Sequence, residues 1–96
     1  MNSKIQPVSE RAKKAIDKVL RAHLRRFGYE HARMEPGFDH DGDPAIFIDA
    51  HYRLSDEPID AHITLLTLVA LRRELVGLGE DRFPHLRHHF DEKQCA

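Results

Sequence analysis

The 96-residue chain has one cysteine, Cys95, so no disulfide can form within it, and a reducing compartment with a free thiol is the expectation. Long apolar runs are missing as well. The longest, ITLLTLVAL at 63–71, falls far short of the roughly 20 residues that span a bilayer. The opening MNSKIQPVSE has no apolar stretch of the secretory kind. Together these point to a cytoplasmic chain with no membrane partner.

Reaction motifs are equally scarce. Ser3, Ser9 and Ser55 lie at a chain end or at helix starts, none in a Gly-flanked elbow. Gly77 and Gly79 follow a helical segment instead of opening one, so no loop is built to cradle phosphate. There is no HExxH and no Cys–His spacing for zinc. The expectation is a non-enzymatic protein with no catalytic residues and no cofactor.

What the chain does have is enough for one core: 41% hydrophobic and 32% charged residues over a length that suits a single domain, 1–96, with short flexible termini at about 1–6 and 91–96. The net charge of −1 hides a polarity. Residues 1–27 carry eight Lys/Arg against two acids, net +6, and the remainder carries seven against fourteen, net −7. A basic arm on an acidic body directs any anionic partner to the first helix.

That helix is opened by Pro7 and Ser9 and stopped by Gly28. Val8, Ala12, Ile16, Val19, Leu20, His23, Leu24 and Phe27 recur at helical spacing, with His23 expected at the core edge. Arg11, Lys14, Lys18, Arg21 and Arg25 form a basic ridge opposite. Segments 29–36 and 45–54 alternate as an antiparallel hairpin. Between them, GFDHDGDP is turn chemistry, with Asx side chains bonding their own backbone.

SDEP at 55–58 opens a second helix, capped by Ser55 or Asp56 with Pro58 in the first turn, running to about Val76. Residues 85–90 make a third strand after Pro84. The fold class expected is α+β, order α-β-β-α-β: a single layer of three-stranded, antiparallel-containing sheet with two helices on one face.

Alternation then divides the strand residues. Ile46, Ile48, Ala50, Tyr52 and Leu54 point at the helices, with Ala32, Met34, Leu86 and Phe90. Tyr29, His31, Arg33, Glu35, Phe47, Asp49, His51, Arg53, His85, Arg87 and His89 point outward, and His88 lies at the margin. An outer face of His, Arg and aromatics fits a solvated sheet, a protein interface or a nucleic-acid platform. The second helix is apolar on two sides, and the side holding Ile59, Ile63, Leu66 and Ala70 is the candidate for self-association.

Two metal readings arise. Asp39, Asp41 and Asp43 resemble the opening of a calcium loop, but Gly42, Pro44 and Ala50 fall at positions that break the pattern. Asp49, His51, His85 and His89 are the residues able to offer a transition metal carboxylate and imidazole together.

The element order, the basic first helix and the closing RFPHLRHHFDE resemble ribosome-binding factor A, a KH-like family. That resemblance implies RNA binding through Arg11, Lys14, Lys18, Arg21 and Arg25.

The sequence therefore leads to a small cytoplasmic regulator of the antitoxin or inhibitor kind. It would dock on a protein partner or a second copy of itself, through residues drawn from the ridge and from Arg33, Phe47, His51, Arg53 and Arg87. The alternatives are a nucleic-acid-binding module on the basic ridge and a metal-dependent hydrolase or nuclease around Asp49.

Overall fold

The computed structural model describes residues 5–53 and 57–90. Leu54, Ser55, Asp56, Cys95 and the rest of the 91–96 tail lie outside the described residues.

Helix α1 (Glu10–Leu24) begins at Ser9, whose hydroxyl accepts the Ala12 amide at 3.1 Å. It presents Ala12, Ile16, Val19, Leu20 and Leu24 to the core and passes into a short 3-10 turn, Arg25–Phe27. Gly28 then reverses the chain at φ +96°, and a Cβ there would meet the Arg53 carbonyl oxygen at 2.5 Å. Only glycine fits.

Strands β1 (Tyr29–Phe38) and β2 (Pro44–Tyr52) form the antiparallel hairpin. Helix α2 (Ala61–Gly77) crosses back, and β3 (Phe83–Phe90) lies parallel to β2. The sheet is mixed, in the order β1-β2-β3, and the fold is α+β with the expected sequence of elements. Among the helices of the described residues, none is long and apolar enough to cross a membrane.

The core lies between the sheet and the helix pair. Ile16, Leu20, Leu24, Ile46, Ile48, Leu71 and Leu75 are fully buried there, each worth about 1.5–3 kcal/mol. Arg82 and Glu80 clamp the strand entrance to the N-terminal segment. The Arg82 guanidinium donates to Glu80 and to the carbonyls of Gln6 and Pro7. The bond from Arg82 holds the Glu80 carboxyl below the usual range.

Several sequence expectations change: β3 begins at Phe83 and includes Pro84, which was expected to precede it. Tyr29 does not face outward, because a bulge between Tyr29 and His31 flips the alternation at the strand start; Tyr29 is buried and donates to Asp17 of α1 at 2.7 Å. Helix α2 starts later than expected, with Asp60 as cap: its carboxylate accepts the Ile63 amide at 2.9 Å, and Pro58 precedes the helix. His23 is exposed, not at the core edge.

Candidate functional site

With both helices on one face, no helix or strand among the described residues covers the other face of the sheet. Strand register arranges its side chains in three rows: Glu35–Phe47–His85, Arg33–Asp49–Arg87 and His31–His51–His89. All nine were expected outward.

Each row has its own chemistry. In the first, Phe47 stacks on His85 at 5.2 Å, and Arg87 from the next row lies 5.5 Å from the Phe47 ring centre. In the second, Asp49 accepts from Arg87 Nη2 at 3.2 Å and from His89 Nε2 at 2.8 Å, with Arg87 Nε at ion-pair distance, 2.9 Å. Burial disfavours the Asp49 carboxylate, but the bonds from His89 and Arg87 outweigh it and hold the carboxyl below its ordinary range. In the third, three imidazoles stack side by side, with centroids 4.9 Å apart for His31–His51 and 5.0 Å for His51–His89.

Of the residues read as metal candidates, Asp49, His51 and His89 are brought together. His85 sits two rows away, with its Nε2 buried, unbonded among the described residues and 3.9 Å from Asp39. His31 joins the histidine row instead. The side-chain oxygens of Asp39, Asp41 and Asp43 lie within 4.8 Å of one another. Their arrangement follows from the turn: Asp39 Oδ1 accepts the amides of Asp41 and Asp43, each at 2.9 Å, and the Asp39 amide donates to the Asp43 carbonyl. DHDGD is the exposed hairpin connection it was read to be.

Arg11, Lys14, Lys18 and Arg21 on α1, and Arg25 in the 3-10 turn after it, are exposed. Arg21 is engaged, bonding Asp17 and the Glu30 carbonyl. Between α1 and β1 runs a groove of about 690 Å³, lined by Lys13, Lys14, Lys18, Arg21 and Arg33 among others. Arg33 leans on Glu35 at 3.4 Å, and Arg53, past the end of β2, bonds Glu30 at 3.1 Å.

Helix α2 divides its apolar residues differently from the sequence reading. Ile59, Ile63 and Ala70 pack against the core, whereas Leu66 is 49% exposed. The residues left in solvent with it are Leu65 (58%), Val69 (52%) and Val76 (57%). Leu65, Val69 and Val76 align along one side of the helix at spacings of four and seven. Near them Arg72 covers Phe83, its guanidinium 4.9 Å from the ring centre.

On the covered face, His88 lies half-buried beside Leu86, inside and not at the margin. Its Nδ1 is 2.7 Å from the Tyr52 hydroxyl and its Nε2 is 3.1 Å from Thr64 Oγ1. Because Thr64 Oγ1 donates to the Asp60 carbonyl, a directed chain runs from Tyr52 O–H through neutral His88 to Thr64 and Asp60. Strict alternation from Leu86 to His88 is the signal that would have placed it there. The Arg82–Glu80 clamp had no comparable signal, since it joins residues 75 apart or more to Gln6 and Pro7.

Comparison with protein-family models, with curated proteins and with solved structures gives no match.

Proposed function

We propose that this chain is a non-enzymatic docking protein whose principal surface is the exposed side of α2, and that its first partner is a second copy of itself. The observation that carries this reading is the exposure of Leu65, Leu66, Val69 and Val76, each about half open to solvent on one helix. Aliphatic side chains grouped in that way mark interaction surfaces. The edge strand β3 runs alongside, with Phe83 and Phe90 also exposed. A strand edge unpaired among the described residues, next to an apolar helix face, suits isologous pairing, in which the same patch meets itself. A standard interface of about 800 Å² per partner would take roughly an eighth of the chain's 6680 Å² surface. A small regulator acting by such docking fits the lack of reaction motifs.

Sedimentation equilibrium over a concentration series tests this. The expected result is a dimer indifferent to salt that becomes a monomer in the Leu65→Ser/Val69→Ser double variant, with circular dichroism unchanged. A wild-type monomer at every concentration would sink the self-association reading.

The groove between α1 and β1 favours a second reading, binding of RNA or DNA. Lys14, Lys18 and Arg11 have no carboxylate within ion-pair distance among the described residues, which leaves their charge available for phosphate. Such binding would weaken steeply with salt and disappear on charge reversal at Arg11, Lys14 and Lys18.

A further inference from the structure

We infer that the row His31–His51–His89 is a binding site for a borderline divalent transition metal of the zinc type, with Asp49 orienting one of its ligands. The site lies on the face of the sheet opposite the helices, so it is independent of docking through α2.

Register puts one histidine from each of the three strands at the same level, on the same face. The neighbouring row alternates in charge, Arg33–Asp49–Arg87, which is how opposed side chains across strands stabilise a sheet. The histidine row has no such complement: three identical groups stand about one strand spacing apart. As imidazolium ions they would repel, and as neutral rings they stack with centroids 4.9 and 5.0 Å apart, each with one in-plane lone pair to offer. A divalent cation is the ligand that turns this like-with-like row into an attractive arrangement, because imidazole nitrogen is a preferred donor for zinc, nickel and copper.

Asp49 supplies the second observation. Its carboxylate can only accept, so the hydrogen in the 2.8 Å contact belongs to His89 Nε2. In the neutral ring that leaves the Nδ1 lone pair for a metal. A carboxylate on the far nitrogen of a ligating histidine fixes the tautomer and raises its basicity. Arg87, bonded to the same carboxylate, fixes Asp49 in turn. The His31 ring must turn toward His51, and His89 must tilt while keeping its bond to Asp49, to bring three nitrogens to about 2.0–2.1 Å from one ion. His31 is exposed, and such a side chain changes rotamer within nanoseconds. Three imidazoles would leave a coordination position facing solvent.

The test uses full-length protein without a histidine tag. Zinc binding is followed by calorimetry, and cobalt binding by the intensity of its visible bands, which reports coordination geometry. One ion per chain is expected. His51→Ala, and His51→Asn as the polar replacement, should weaken binding at least a hundredfold. Asp49→Asn should weaken it about tenfold. His85→Ala and Asp41→Ala should leave it unchanged. The inference is overturned by the absence of saturable binding, by affinity indifferent to His31→Ala and His51→Ala, or by loss of binding in Asp41→Ala. Since these side chains lie on the open face, unchanged circular dichroism in the metal-free variants separates lost ligation from lost folding.

Discussion

The two helices cover the same sheet but relate to it in opposite ways. Helix α1 buries its apolar residues in one stripe of five and gives charge to water. Helix α2 is the more apolar of the two, yet among its described residues it buries only Thr67, Leu71 and Leu75 and leaves four large aliphatics half exposed. An amphipathic helix is satisfied by one partner, and a helix apolar on two sides needs two. Helix α1 meets its demand against α2 and the sheet; the second apolar side of α2 has no cover among the described residues. Their ties to the sheet differ too. Tyr29 joins α1 through the carboxylate of Asp17, whereas Tyr52 joins α2 through the imidazole of His88 and the hydroxyl of Thr64.

The largest effect that probes this comparison is removal of an α1 core residue. Leu20→Ala should cost about 2–5 kcal/mol, because a fully buried leucine leaves both lost transfer energy and a cavity. Urea denaturation of dilute protein measures it. If an exposed α2 leucine proved as costly under the same conditions, the contrast between the helices would fail.

Next comes alkaline pH, which acts on both ties. Burial raises the Tyr29 and Tyr52 hydroxyls well above the ordinary phenol range, with the bond to Asp17 adding to the effect at Tyr29. Above about pH 10 the unfolded chain loses these protons while the folded chain keeps them. The folded state then binds more protons, so stability is retained below about pH 10 and falls as pH rises further. Urea midpoints across this range should drop, and Tyr29→Phe and Tyr52→Phe should each remove part of the slope. A flat profile would show that neither phenol is held as described.

How much of this was legible beforehand depends on the kind of information each feature needs. Alternation assigned Phe47, Asp49, His51, Arg87 and their neighbours to the open face because a strand has a period of two. It misplaced Tyr29, since a bulge is set by how the strand meets Gly28 and Arg53 and leaves no mark on periodicity. Rows are different from faces. Which residue on one strand stands beside which on the next depends on register, so His31 was not grouped with His51 and His89, and His85 was. Helix α2 announced its two apolar sides, but which side the core takes depends on where the helix lands. For that reason Leu66 was grouped with Ile59, Ile63 and Ala70, and the structure separates them.

A smaller and more selective effect is expected on mild acidification. Burial, with a lesser contribution from His89, lowers the His88 pKa below that of free histidine. The unfolded chain takes up a proton below about pH 6.5, so the stability linked to neutral His88 is present above that value and is lost as pH falls through the folded-state value. Protonation places hydrogen on both ring nitrogens and denies Tyr52 its acceptor. Hydrogen exchange should therefore quicken in α2 and β3 before α1, at a pH above that at which the lowered carboxyls of Asp39, Asp49 and Glu80 begin to matter. Simultaneous loosening of α1 and α2 would mean that the ties are not separate.

The smallest effect on the isolated chain is also the most informative about function. Leu65→Ser should change the stability of dilute monomer by less than about 0.5 kcal/mol, the usual range for a surface position, because its side chain is already 58% exposed. Wild-type protein, by contrast, should melt at a temperature that rises with concentration, since pairing stabilises the folded state by mass action. In Leu65→Ser that dependence should flatten while the dilute-limit melting point stays in place. If the substitution lowered the dilute-limit melting point as well, Leu65 would belong to the chain's own core, and the unmet demand of α2 would have to lie elsewhere on its surface.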